Sequence, residues 1–297
     1  MRAIIVPGFG DPSVLTLADL PRPEPGPGQV LVRVVGAGVG PWDAKARKGW
    51  FGPRTFPFVP GVEAAGTIEA LGDGAQGGVG DPVLASPSGA YAEWAVVDAA
   101  KVAPAPAALD PVDAGAVPVG AVTALEGIDD HLHLAVGERL LVAGAAGGGG
   151  AFVVQVAQAR GAEVVATASP SNHDFLRRIG ADEVVDYHGD WVASVGTVDA
   201  AYDCVGGPTW DGCVAAVRAG GRAVTIAAFG AEVARPGVAM SVFSASMTSA
   251  RLAEAARLID DGSVTVEIAA RLALEEAAEA HRRVESGHTR GKIVLVP

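Results

Sequence analysis

The sequence predicts an α/β chain in which a mostly parallel sheet, flanked by helices, follows a β-rich N-terminal region. Three observations carry that expectation. Short apolar runs separated by Gly and Pro fill the N-terminal third. From Pro118 onward, short strand patterns alternate with helix-length segments. Within that second part a glycine run, Gly147 to Gly150, stands where a strand pattern gives way to a helix pattern.

Taken in order, Ala3-Ile4-Ile5-Val6 reads as a short strand, punctuated by Gly8 and Gly10. The alternating prolines from Pro21 to Pro27 exclude a helix or a sheet interior, because proline removes backbone donors and restricts its predecessor. Residues 29–35 and 66–71 suit strands, 82–84 resumes an extended pattern, and 89–97 reads as a further strand carrying Tyr91 and Trp94. Residues 121–127 open a helix and 139–143 form a buried strand. A helix over 151–160 and a strand over 163–168 follow. Beyond them come a helix over 172–179 and strands over 183–186, 199–205 and 221–227. The tail adds an extended segment after Thr265, an acidic helix over 274–284 and a last strand over 292–296. Periodicity leaves the partner of that last strand open, the N-terminal region included.

Composition narrows the functional classes. An apolar fraction of 49% supports a substantial core. Twenty-two basic against 34 acidic residues give a net charge of −12, which disfavours nonspecific nucleic-acid partners and anionic membranes. The two cysteines, Cys204 and Cys213, are too few for a disulfide scaffold or a four-cysteine zinc site. With no secretory leader at Met1 and no bilayer-length apolar run, a cytoplasmic protein is expected.

The most informative unit spans 139–168, with the order strand, glycine-rich turn, helix, strand. That context gives a dinucleotide fingerprint its meaning. Ala145-Ala146-Gly147-Gly148-Gly149-Gly150 is an A-x-G-x-x-G variant, with Ala145 at the first glycine position. Gly147 would allow close approach of a diphosphate and Gly150 close packing of helix on strand. Gly148 and Gly149 would add helix-start N–H groups. A small-residue structural turn is the alternative.

No acid occurs in Thr167-Ala168-Ser169, at the end of the second strand. A carboxylate about 4 Å from a 2′-phosphate would cost about 4 kcal/mol at an effective dielectric of about 20. Its absence therefore permits NADPH. Ser169, Ser171, Asn172 and His173 are candidate hydrogen-bonding partners for that phosphate, with Arg177 and Arg178 as further candidates. Asn172 serves equally as a helix cap. Tyr187 is placed near the adenosine end, or in ordinary loop packing.

Over nearly its whole length the chain resembles the zinc-independent quinone oxidoreductases of the medium-chain dehydrogenase/reductase superfamily. The matching pieces are Gly38-Val39-Gly40-Pro41-Trp42-Asp43, Pro57-Phe58-Val59-Pro60-Gly61-Val62-Glu63 and Gly89-Ala90-Tyr91-Ala92-Glu93. They continue through the glycine run, Asp203-Cys204-Val205-Gly206-Gly207 and the tail Gly287-His288-Thr289-Arg290-Gly291-Lys292-Ile293-Val294.

The resemblance implies a Rossmann doubly wound parallel sheet over 118–264. It also implies a β-rich GroES-like substrate domain from 1–117 and 265–297. NADPH would occupy the cleft between them and pass a hydride to a quinone or related electron-poor carbonyl, in a homodimer. An enone or enoyl reductase is the close alternative, and a noncatalytic dinucleotide sensor the distant one.

Gly40, Trp42, Asp43, Trp50, Phe51 and Tyr91 are the implied substrate-binding residues. Trp50 and Phe51 in a loop core, and Tyr91 packing the β-domain, are the structural alternatives. The resemblance places Thr123, Val205, Gly206 and Phe229 beside the nicotinamide, with helix capping as the alternative for Thr123 and inter-domain packing for Phe229. Zinc-dependent relatives carry Cys near the Val39-Gly40 turn and His in a Gly-His-Glu segment; this chain has Gly61-Val62-Glu63, and no metal is expected. Gly40 stands where many members have Asn, and no residue is assigned as general acid. The segment between Gly230 and Ser249 is short for the family and falls at the expected dimer edge.

Overall fold

The computed structural model describes residues 1–230 and 235–297; residues 231–234, inside that short segment, lie outside the described residues. The chain forms two compact units. Unit 1 comprises Met1–Val119, Met247–Gly262 and Val266–Pro297, and unit 2 comprises Gly120–Ser246 and Ser263–Thr265.

Unit 1 is a β-rich, GroES-like fold organised around the eleven-residue strand Gln29–Val39. One edge of that strand pairs antiparallel with Ala64–Leu71. Its other edge pairs with Trp94–Asp98 near one end and Lys292–Val296 near the other. Register shifts at Leu31/Val32 and Val34/Gly36 bend it, as bulges do. Pro82–Ala85 and Val102–Pro104 extend the sheet beyond Ala64–Leu71, and Ile268–Ala273 runs parallel to the C-terminal strand. The last strand thus returns to the N-terminal sheet. Ile293, Val294 and Leu295 are buried there, and so is Lys292.

The expected strand over 89–97 begins only at Trp94. Before it, the N–H groups of Gly89 and Ala90 bond to the Gly61 carbonyl, and that of Tyr91 bonds to Pro60. Those bonds hold a loop, and Ala92 then makes an isolated antiparallel bridge with Ala3.

Among the described residues, unit 2 holds six parallel strands. Their spatial order is Glu183–Val185, Glu163–Thr167, Arg139–Ala143, Val198–Asp203, Val217–Thr225 and Ala239–Val242. Numbered by sequence within the unit, that is 3-2-1-4-5-6, the Rossmann order. The reversal falls between Arg139–Ala143 and Val198–Asp203. The expected strand over 199–205 stops at Asp203, because Asp203 captures the N–H groups of Val205 and Gly206 and Gly206 turns at φ 82°.

The compact units divide the chain differently from the expected spans, at Pro118–Val119, at Thr265 and most of all at Met247–Gly262. The span 118–264 was expected to belong wholly to the parallel-sheet domain, whereas Met247–Gly262 groups with unit 1. Its helix Ser249–Asp260 packs on Val102–Pro104, and the Ala108 N–H donates to Asp260 at 2.8 Å. No helix among the described residues is long and apolar enough to cross a membrane.

Candidate functional site

The glycine run lies at the reversal point of the unit 2 sheet. The Gly144 carbonyl accepts the Gly147 N–H at 3.1 Å, closing a tight turn that feeds the helix Gly150–Ala159. A Cβ on Gly150 would approach Ala145 Cα to 2.7 Å and overlap the Gly144 carbonyl, so glycine is what lets the helix start directly on its own strand. Ala145 is fully buried, so its methyl is housed in the core.

Among the described residues, the opposite face of the turn is open at Gly147 and Gly149. A Cβ on Gly147 would meet only the Gly144 oxygen, at 3.3 Å, and one on Gly149 only Ile226 Cδ1, at 4.0 Å. The N–H groups of Gly148, Gly149 and Gly150 find no acceptor among the described residues. Uncommitted helix-start donors beside an uncrowded backbone suit a diphosphate. The residues present fit a dinucleotide.

Beyond the second strand, Ser169, Ser171 and Asn172 form a hydroxyl and amide cluster. Ser169 Oγ lies 3.2 Å from Ser171 Oγ and accepts from Asn172 Nδ2 at 3.2 Å. His173 Nε2 faces the Ala168 carbonyl at 3.2 Å; a carbonyl only accepts, so Nε2 carries the proton and this face of the ring is engaged locally. The two arginines are also engaged within their own helix. Arg177 pairs with Asp174 at 3.2 Å, and Arg178 lies over the Phe175 ring at 5.4 Å. Tyr187 is exposed and stacks on His188.

Thr123 is half-buried, and its carbonyl accepts the Tyr202 hydroxyl at 2.8 Å. Val205 and Phe229 are 54% and 56% exposed, large apolar side chains on loops that leave adjacent strands. Asp203, not among the residues expected at the site, joins those loops. Its one visible signal is an acid closing an otherwise apolar strand just before Cys-Val-Gly-Gly.

In unit 1, Gly40 is the cap of the helix Pro41–Arg47. The Gly40 N–H donates to Asp43 Oδ2 at 3.0 Å, and the Tyr91 hydroxyl donates to the same oxygen at 3.2 Å. Asp43 and Tyr91 are 1% and 0% exposed. Both side chains hold the Gly40 turn from inside. Burial, with the Glu63 charge nearby adding to it, pushes the Asp43 carboxyl up to about 7 against the opposing Gly40 N–H bond.

Trp42 folds back on the turn. A Cβ at Gly40 would overlap Cζ2, Cε2 and Cη2 of its ring. The indole therefore occupies the volume that a side chain at position 40 would need, and it lies beneath the Lys292 ammonium, 4.8 Å from the ring centroid. Trp50 and Phe51 are 70% and 59% exposed, which removes the loop-core alternative for both.

The two carboxylate oxygens of buried Glu63 are taken by Lys292 Nζ and, at 2.9 Å, by the Val119 N–H. Among the described residues, no three His, Cys, Asp or Glu side chains form a group able to hold a metal ion. The donor set does not fit zinc.

Two family descriptions match the chain: "alcohol dehydrogenase GroES-like domain" over residues 26–107 and "zinc-binding dehydrogenase" over residues 179–295. The chain is 31% identical to a quinone oxidoreductase of Pseudomonas aeruginosa, with 97% of each protein covered. It is 30% identical to a chloroplastic NADPH-dependent alkenal/one oxidoreductase of Arabidopsis thaliana, covering all of this chain and 80% of that one. A mycobacterial protein solved in complex with NADPH is similar in structure at a TM-score of 0.91 and 30% identity, with both chains fully covered.

Two outcomes test the unit 1 geometry. Gly40→Asn should lower the melting temperature strongly in the native background and weakly beside Trp42→Val, with a coupling of about 1 kcal/mol or more. Simple additivity would show that the indole does not hold that space. The second outcome is a pH dependence. Folded Asp43 keeps its proton up to about pH 7, while the unfolded chain releases it near the ordinary value of 3.8. The folded state therefore binds more protons in that window, and the contribution of this group is complete below it and declines as pH rises through it. The unfolding free energy of the native chain minus that of Asp43→Asn should fall from about pH 4 to about pH 7 and level off above. A flat or rising difference would contradict the assignment.

Proposed function

Because this chain belongs to the quinone-oxidoreductase-like family of the medium-chain dehydrogenase/reductase superfamily, we propose that it is an NADPH-dependent reductase of quinones or related electron-poor carbonyls. The observation that carries this reading is the glycine turn at the sheet reversal, with three N–H groups at a helix start that find no acceptor among the described residues. The NADPH complex of the mycobacterial relative supports it. Bound, the nicotinamide supplies the hydride.

Each part of the chain then has a task. Gly147 lets the diphosphate approach, and the N–H groups of Gly148, Gly149 and Gly150 hold it. Ser169, Ser171 and Asn172 offer hydroxyl and amide hydrogen bonds to the 2′-phosphate, with no carboxylate in Thr167-Ala168-Ser169 to repel it. Exposed Val205 and Phe229 provide apolar faces for the nicotinamide end. In unit 1, exposed Trp50 and Phe51 offer aromatic surface to a planar acceptor, and the Asp43–Tyr91 pair fixes the turn that carries Gly40 and Trp42. No side chain is assigned as general acid.

Reduction of α,β-unsaturated carbonyls is the second reading, favoured by the alkenal/one oxidoreductase relative. A homodimer belongs to the same proposal. The decisive experiment follows NADPH and NADH oxidation by the purified chain against simple quinones and enones. Quinone turnover with NADPH is expected; enone-only turnover would move the assignment to the second reading, and nucleotide binding without turnover would favour a sensor. Gly147→Val should raise the NADPH dissociation constant at least about tenfold while the fold is retained. Unchanged affinity would remove the glycine turn from the phosphate site.

A further inference from the structure

Asp203 ends the strand Val198–Asp203 and is fully buried, yet no cation is among its hydrogen-bond partners. Backbone and hydroxyl groups satisfy it. Oδ1 accepts from the Val205 N–H at 2.9 Å and the Gly206 N–H at 3.0 Å. Oδ2 accepts from the same Gly206 N–H at 3.0 Å and from Thr225 Oγ1 at 2.6 Å. Thr225 is also buried, and its oxygen accepts the N–H groups of Ala227 and Ala228, both at 3.1 Å. One carboxylate and one hydroxyl thereby gather four backbone donors from two loops.

The loops are neighbours by construction. Asp203 and Thr225 are register partners in adjacent parallel strands, and Asp203 is in register with Ala143, where the glycine turn begins. A Cβ at Gly206 would sit 3.0 Å from the Ala227 carbonyl oxygen, so the two loops touch through backbone. A Cβ at Gly144 would sit 2.7 Å from Val205 Cγ2, so the first loop also lies against the glycine turn.

A buried carboxylate costs several kcal/mol unless it is fully hydrogen-bonded, and a purely apolar strand end would avoid that cost. What the carboxylate adds is acceptor capacity without donors, enough for both loops at once. Those loops carry the exposed apolar side chains of Val205 and Phe229. Loops free to relax would tend to fold such side chains inward.

We propose that Asp203, acting through Thr225, is a positioning residue for the nucleotide: it locks the 204–207 and 226–229 loops together beside the glycine turn and keeps their apolar side chains presented. This rests on the reading of unit 2 as the nucleotide-binding unit. Asp203 touches no reacting atom and acts only through the loops it holds.

Asp203→Asn is the informative change, because its amide nitrogen would face either the Val205 and Gly206 N–H groups or the Gly206 N–H and the Thr225 hydroxyl, whose proton then loses its acceptor. Titration calorimetry with NADPH should show affinity reduced about tenfold, the scale of one or two lost hydrogen bonds. Hydrogen exchange should rise together at Val205, Gly206, Ala227 and Ala228. Thr225→Val should release Ala227 and Ala228, leave Val205 and Gly206 protected, and also weaken NADPH. Thr225→Ser, which keeps the hydroxyl, should restore both readouts; this pair decides the matter even if Asp203→Asn folds poorly. NADPH affinity in Thr225→Val within twofold of the native chain, or faster exchange confined to one loop in Asp203→Asn, would overturn the proposal. A native chain that binds neither NADPH nor NADH would instead overturn the nucleotide reading beneath it.

Discussion

Two neighbouring strands of unit 2, Arg139–Ala143 and Val198–Asp203, send their following connections toward opposite edges of the sheet. That divergence leaves a crevice at their carboxyl ends, and everything chemical in this unit gathers around it. The glycine turn leaves one strand, the Cys204–Gly207 loop leaves the other, and the loop after Thr225 leaves the next strand over. Each exit must turn sharply without filling the crevice. Small residues meet that demand on one side, and the buried acceptors Asp203 and Thr225 meet it on the other.

Unit 1 solves a different problem. Its polar residues Asp43, Glu63, Tyr91 and Lys292 are inside, where unpaired charge is costly. Lys292 arrives on the C-terminal strand and meets Glu63 near the opposite end of the sequence, so the pair helps fix where the returning strand docks. Asp43 lacks such a partner and responds by holding its proton to about pH 7. The turn that carries Gly40 and Trp42 is thus braced by a hydrogen-bonded interior, and the position-40 space is filled by an indole from two residues along the chain.

Some of this was plain in the sequence and some was not. The strand, turn and helix around Gly147–Gly150 were legible because close backbone approach selects glycine at fixed spacing, a local requirement. Asp43 and Tyr91 were legible as site candidates, with packing as an alternative for Tyr91, but their meeting at the Gly40 turn was not, since it joins segments far apart in the chain. Arg177 and Arg178 looked available for a phosphate because a sequence does not show that Asp174 and the Phe175 ring engage them first. Asp203 was overlooked for a related reason. Its partners are a loop just ahead of it and a threonine 22 residues on, joined only once two strands lie in register.

The sequence by itself determined the alternation that makes a parallel sheet, the place of the glycine turn, and the lack of an acid at the end of the second strand. Those features depend on backbone period, on the space a Cβ would take, and on which side chains exist at all. Tertiary structure decided the return of the last strand to the first sheet and the transfer of the Ser249–Asp260 helix to unit 1. It also placed the Trp42 ring over Gly40 and joined two loops through one buried carboxylate. These follow from long-range burial and hydrogen-bond satisfaction, which exist only after distant segments have met.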